Sequence, residues 1–140
     1  MMNDEVRTIM EMNPRTTSPN KNVGELSLEM LKDGITQMLV VDDEVLVGMV
    51  TVHDLWKKYE NKSSIADLNV SEVMNTNIIR ISPKDKIGTA AELFADRRFK
   101  SLPVVNRVGK LRGVITAFDI IKVTFKSEYS SPILYQEAFS

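Results

Sequence analysis

A motif able to hold a phosphorylated sugar occurs twice in this chain. Gly48, Thr51 and Asp54 are spaced Gly-x-x-Thr-x-x-Asp within GMVTVHD, and Gly113, Thr116 and Asp119 repeat that spacing within GVITAFD. Each segment reads as a strand running into a helix. At such a junction, free backbone N–H groups and the positive end of the helix dipole suit a phosphate. The Thr hydroxyl can donate to a phosphate oxygen. A carboxylate in the first helical turn offers two acceptors, which matches the paired hydroxyls of a ribose. The glycine lets another backbone, or a ligand, come close to the strand. The same residues also fit a second role. Thr-x-x-Asp before an apolar helix is what a capping box looks like, with the acid reaching back to the cap residue. Duplication favours the ligand, because a cap alone does not require a glycine three residues ahead.

The elements that must position these motifs are duplicated as well. Met10, Ser18-Pro19, Gly24 and Val40-Val41 return as Met74, Ser82-Pro83, Gly88 and Val104-Val105, at a constant offset of 64 residues. The glycines of the two motifs are offset by 65, so the second copy holds one extra residue between Val105 and Gly113. A fixed internal offset marks two copies of one structural unit. In the first copy the pattern predicts a short lead-in helix over residues 6–10, a brief strand at Arg15-Thr16-Thr17 stopped by Ser18-Pro19, and a helix over residues 23–32 with Val23, Leu26, Met30 and Leu31 at helical spacing. Asp33-Gly34 ends that helix. Strands over residues 38–41 and 45–52 follow, joined by a turn through Asp42-Asp43-Glu44, and then a helix carrying Leu55, Trp56 and Tyr59. The second copy predicts a lead-in helix at 70–74 and a strand at 78–81 that reads better than its counterpart. A helix at 87–96, paired strands at 102–105 and 111–116, and a closing helix at 117–125 complete it. Residues 61–64 form a polar linker. These boundaries divide the chain into a first repeat (1–62), a second (63–126) and a tail (127–140), with Ile133, Leu134, Tyr135 and Phe139 apolar in that tail.

Composition narrows the function classes. With 140 residues and 43% hydrophobic content, the chain supports a real core rather than disorder. Each half alone would be marginal, so the halves are expected to fold against each other. The net charge of −1 supplies no field for nucleic acid or an anionic membrane. Without cysteine there is neither a disulfide framework nor a thiolate metal site. No signal-like start and no bilayer-length apolar run is legible, so a soluble cytoplasmic protein is expected. No nucleophile–base pair, metal-ligand cluster or Gly-rich phosphate loop with lysine occurs. An enzyme is therefore not expected, nor a cofactor or a metal. His53, the single histidine, has no triad or metal set around it.

Over residues 6–123 the chain resembles a pair of CBS domains (the cystathionine-β-synthase repeat), together called a Bateman module. The resemblance rests on Met10 and Met74 before the first strand, the Ser-Pro after it, the segments Val40-Val41-Asp42 and Val104-Val105-Asn106, and both Gly-x-x-Thr-x-x-Asp motifs. It implies an α/β (α+β) fold: two βαββα repeats related by pseudo-two-fold symmetry and packed through their sheets. It implies a regulatory role, in which an adenosine-containing ligand (AMP, ADP, ATP or S-adenosylmethionine) binds between the repeats and signals to an effector protein by conformational change. Thr51, Asp54, Thr116 and Asp119 fall on the family's ribose- and phosphate-contacting positions. Thr16, Thr17, Gln37 and Met38 in the first copy, with Ile79, Arg80, Lys100, Ser101, Leu102 and Pro103 in the second, fall around its base- and phosphate-contacting strands. The resemblance also implies a homodimer, a disc of four repeats. The effector is expected on a separate chain.

The copies depart from the family pattern in different ways. The proline before Val-Val is kept as Pro103 but is Leu39 in the first copy. The first-strand Thr16 is replaced by Arg80 in the second. The two sites should therefore differ, with more phosphate charge on the side of Arg80 and Lys100; which aspartate serves that side stays open. The alternative function is a module that binds no ligand and works by dimerisation or by holding a partner. The exposed sides of the closing helices, Trp56 and Tyr59 in one and Ile121 and Phe125 in the other, suit a dimer face.

Overall fold

Residues Val23–Asp33 form the first helix, α1, because Val23, Leu26 and Met30 recur at helical spacing and bury one face. The Asn22 side chain caps it by accepting from the Glu25 N–H at 3.0 Å. Gly34 ends it in the left-handed region, φ 66°. Leu31, just outside that face, is 80% exposed rather than part of the core. Strands β1 (Thr16–Thr17), β2 (Gln37–Asp42) and β3 (Val45–Thr51) make one sheet in the order β1-β2-β3. β1 runs parallel to β2, and β3 antiparallel to it. The hairpin turns through Asp43 and Glu44, with φ of 49° and 68°. Positive φ at both central residues gives the turn that matches strand twist. Helix α2 (Val52–Asn61) follows at once. The computed structural model describes residues 1–61, 64–97 and 99–128.

The second copy repeats the order with α3 (Ile87–Arg97), β4 (Ser101–Val105), β5 (Leu111–Thr116) and α4 (Ala117–Glu128). α4 runs past the expected end at residue 125; residues 129–140 of the expected tail lie outside the described residues. The lead-ins are single 3₁₀ turns, Val6–Thr8 and Val70–Glu72. The expected strand at 78–81 does not form: Ile81 alone bridges Val104, in parallel. The Ile81 N–H donates to the Pro103 carbonyl (3.0 Å), and the Val105 N–H donates to the Ile81 carbonyl (2.8 Å). The next rung of that parallel ladder needs an N–H at position 103. Proline has none, so pairing stops.

By contacts the chain forms two compact units, and each contains the lead-in of the other copy. One holds residues 15–79 with 108–111; the other holds the described residues of Met1–Pro14, Arg80–Arg107 and 112–128. In the first, Val23, Leu26 and Met30 of α1 pack with Met38, Val40, Val50 and Leu55, and the second lead-in adds Val70 and Val73. In the other, Val6 is buried along with Ile87, Ala90, Leu102, Val104, Ile115 and Ile120, the equivalents one repeat on. Fully burying each large side chain of this kind contributes about 1.5–3 kcal/mol.

Two contacts seat each lead-in. First, it supplies carbonyls to a helix start. The Val23 and Gly24 N–H groups donate to Leu68 and Ala66 (2.8 and 3.1 Å), while those of Ile87 and Gly88 donate to Asp4 and Met2 (both 2.9 Å). These are donors that a helix N-terminus leaves unpaired. Second, the lead-in crosses the glycine of the repeated motif. A Cβ on Gly48 would lie 2.7 Å from Met74 Sδ and 3.1 Å from the Asn75 carbonyl; on Gly113 it would lie 2.6 Å from the Glu11 carbonyl and 2.9 Å from Met10 Sδ. Of the two uses foreseen for these glycines, close approach by another backbone is the one realised.

The hairpin turn yields the first prediction. Glu44 holds a left-handed conformation that glycine adopts at no steric cost, and its ion pair with Lys110 (3.5 Å) is exposed. Glu44→Gly is expected to stabilise the protein by about 0.5–1 kcal/mol in urea unfolding; a loss of stability would show that the ion pair outweighs the backbone strain.

Candidate functional site

β3 and β5 end on Thr51 and Thr116, and α2 and α4 begin at the next residue. Each threonine caps its helix in a reciprocal box. Thr51 Oγ1 accepts from the Asp54 N–H at 3.0 Å, and Asp54 Oδ2 accepts from the Thr51 N–H at 3.2 Å. Thr116 and Asp119 do the same at 3.1 and 2.8 Å. The capping role is thus present in both copies, and the crossing lead-ins account for the glycine. Neither glycine argues for a ligand any longer.

The boxes still leave chemistry to spare. In each, the threonine oxygen acts as acceptor and keeps its own proton to donate. The aspartate commits one oxygen, and Oδ1 makes no hydrogen bond among the described residues. All four residues are half-buried, and the helix dipole favours negative charge beside them. A box of this kind presents a hydroxyl donor and a carboxylate acceptor in a fixed orientation.

The remaining expected residues divide by sheet face. Gln37 lies opposite Thr51, Leu39 opposite Met49, and Thr16 beside Leu39. Strand alternation puts Thr16, Gln37 and Thr51 on one face. Thr17 and Met38 lie on the other, 8% and 2% exposed, toward the core. Of the second-copy residues, Leu102 is fully buried and Pro103 is buried with its carbonyl bound to Ile81, whereas Ser101 and Ile79 are half-buried. Met38 and Leu102 can therefore meet a ligand through their backbones only.

Charge separates the two copies. Arg15, next to Thr16, pairs with Glu29 and Asp33 (both 2.7 Å), and Lys21 pairs with Glu29 (2.7 Å). Lys21, then Arg15, holds the Glu29 carboxyl below its ordinary value, and Asp33, then Glu29, raises the Arg15 guanidinium. These cations are occupied. Arg80 and Lys100 are exposed and make no ion pair among the described residues. Of the basic run before β4, Arg97 sits 5.9 Å from the Phe99 ring centroid, and residue 98 lies outside the described residues. No group of three or more His, Cys, Asp and Glu side chains among the described residues could hold a metal, and no helix there is long and apolar enough to cross a membrane.

One feature was only half visible in the sequence. An apolar groove of about 790 Å³ opens between α1 and α2, lined by Met30, Leu31, Ile35, Trp56, Tyr59 and Ile65 among others. Trp56 and Tyr59 stack at its rim, centroids 5.9 Å apart. Their exposure was expected. The part played by Leu31 and by Ile65, which arrives with the second lead-in, was not.

Thr17 gives a direct test of the core face. Its Oγ1 is buried without a hydrogen-bond partner among the described residues, which costs about 1–3 kcal/mol. The near-isosteric Thr17→Val is expected to raise unfolding free energy by about 1 kcal/mol; a fall would show that the hydroxyl is satisfied in solution.

The CBS domain family matches residues 6–55 and 70–126. A methylated protein of Methanocaldococcus jannaschii is 36% identical over 120 residues, covering 79% of this chain and 67% of that protein. The chain spans 24–33% of several longer curated relatives. Among solved structures, CBSX2 in complex with AMP has a TM-score of 0.76 at 24% identity, covering 89% of this chain and 98% of that one; CBSX2 has been solved from Arabidopsis thaliana. The cytosolic domain of the Mg2+ channel MgtE in complex with ATP has a TM-score of 0.71 at 25% identity, covering 86% and 48%. Matched in both of its copies and over most of its length, the chain belongs to the CBS domain family and carries a tandem pair of these domains.

Proposed function

We propose that this chain is a regulatory module that binds an adenosine-containing ligand through its Thr51/Asp54 and Thr116/Asp119 boxes and reports to an effector protein by a change of conformation. One observation carries the reading: both boxes keep a hydroxyl proton and a carboxylate oxygen in reserve after capping their helices. A ribose takes the carboxylate oxygen, and a phosphate takes the threonine hydroxyl with the helix dipole behind it. The relatives solved with AMP and with ATP support this ligand class. Regulation then needs different affinities for two conformations, since equal binding to both shifts nothing. A triphosphate is favoured where Arg80 and Lys100 are at hand, because their charges are not already neutralised as those of Arg15 and Lys21 are.

The alternative, a dimerisation or interaction module that binds no ligand, draws on the groove between α1 and α2. An apolar cavity rimmed by stacked Trp56 and Tyr59 is unusual on a surface that faces only water. The two readings are compatible.

Two measurements test them. Asp→Asn keeps an acceptor for the cap but removes the charge, and a hydrogen bond to a charged group contributes roughly 1.5–3 kcal/mol. Asp54→Asn and Asp119→Asn are expected to weaken AMP or ATP binding about tenfold or more in calorimetry, and Arg80→Ala to weaken ATP more than AMP. Unchanged affinity in both aspartate variants would refute the site. Trp56→Lys is expected to shift the chain toward monomer in light scattering; an unaltered mass would remove the groove from the interface.

A further inference from the structure

The N-terminal segment, residues 1–11, docks on the unit that carries the Thr116/Asp119 box, and it does so next to that box. Glu11 and Val114 exchange both backbone hydrogen bonds, at 2.8 and 2.9 Å. Val114 stands two residues before Thr116 on β5. Met10 lies over Gly113, and the segment's other end caps α3 through Asp4 and Met2. After Pro14 the chain passes into the other compact unit. The segment therefore links the strand that aims one box to a different body of the protein.

The same construction recurs independently. Asn75 and Met49 exchange both hydrogen bonds, at 2.8 and 2.9 Å, and Met49 stands two residues before Thr51. Met74 lies over Gly48. Capping neither helix requires this crossing, yet it occurs at the same distance from both boxes.

We propose that residues 1–11 are a strap whose seating on β5 is coupled to occupancy of the Thr116/Asp119 box. This rests on the ligand-binding function above. The physical link is short. Thr116 N–H and Oγ1 hold the Asp119 carboxylate and amide, and the strap fixes the backbone two residues upstream. A ligand that holds Thr116 and Asp119 in the capped geometry favours the seated strap. A seated strap favours the ligand to the same degree, because coupling free energy is reciprocal. Couplings of this kind span roughly 5–150-fold in affinity.

Gly113→Ala is the direct test. Its Cβ would stand 2.6 Å from the Glu11 carbonyl, and the position has no left-handed backbone to strain, so the collision falls on the strap. Thr116 and Asp119 are untouched. Amide hydrogen exchange on the full chain, with and without saturating AMP or ATP, reads the seating at Glu11 and Val114. Expected are at least tenfold slower exchange at both amides with nucleotide, and at least fivefold weaker nucleotide binding in Gly113→Ala with protection at Glu11 lost. Should that variant fail to fold, Met10→Ala loosens the strap while leaving every backbone group in place, with the same two readouts. Nucleotide binding that leaves exchange at Glu11 and Val114 unaltered overturns the strap and leaves the binding function standing. So does an unseated strap with unaltered affinity. Absence of nucleotide binding by the unmodified chain overturns both.

Discussion

A backbone crossing over a glycine is the contact on which both units depend. At Gly113 and at Gly48 the lead-in of the other copy passes so close that a single methyl group would collide with its carbonyl or its methionine sulfur. That approach brings paired hydrogen bonds to β5 and β3, a thioether to fill the space above the glycine, and valines 6 and 70 into the core. Methionine suits the position because its unbranched, polarisable chain fills an irregular gap. Without the lead-in, α1 and α3 would each lose carbonyl partners for two N-terminal amides. The segments are short, but each serves a helix start, a strand and a core at once.

This dependence changes how the repeated motif is understood. Its three residues serve two structural tasks, the crossing at glycine and the cap at Thr and Asp. Neither excludes recognition of a ligand. A capping box uses the acceptor side of a hydroxyl and one oxygen of a carboxylate. What remains is a donor and an acceptor whose positions the cap has already fixed, so binding need not also restrain two loose side chains. A site built on a cap starts from order that folding has provided.

Much of the architecture was legible because it repeats. Periodicity placed α1 and α3, Gly34 marked a helix end, and the turn expected through Asp42-Asp43-Glu44 narrows to Asp43 and Glu44, with Asp42 the last residue of β2. The duplicated Ser-Pro is explained by local bonding: Ser18 and Ser82 hydroxyls accept from the N–H groups two residues on. What was not legible shows where pattern gives out. Ile78 and Ile79 have high strand propensity, yet pairing is decided by the neighbour, and Pro103 there lacks the N–H. Leu31 fits helical spacing but falls just outside the buried arc. Nor could spacing alone say which copy's methionine covers which glycine, because two copies with the same grammar satisfy the pattern either way. At the boxes, sequence offered a cap and a ligand contact as alternatives, whereas the atoms allow both.

The two copies differ in charge beside Thr16 and Arg80, while the core keeps its character. Buried positions keep their character across the repeat: Val6 and Val70, Ile87 and Val23, Leu102 and Met38, Ile115 and Val50. The boxes keep their residues outright. Beside the first strand, by contrast, Thr16 becomes Arg80, and the acids that neutralise Arg15 and Lys21 have no counterpart paired with Arg80 or Lys100 among the described residues. An exposed guanidinium and ammonium beside β4, without an ion pair among the described residues, raise the local positive potential there. Two sites that share a ribose contact but differ in charge would rank mono- and triphosphates differently, which is the difference in affinity a sensor of nucleotide phosphorylation state requires.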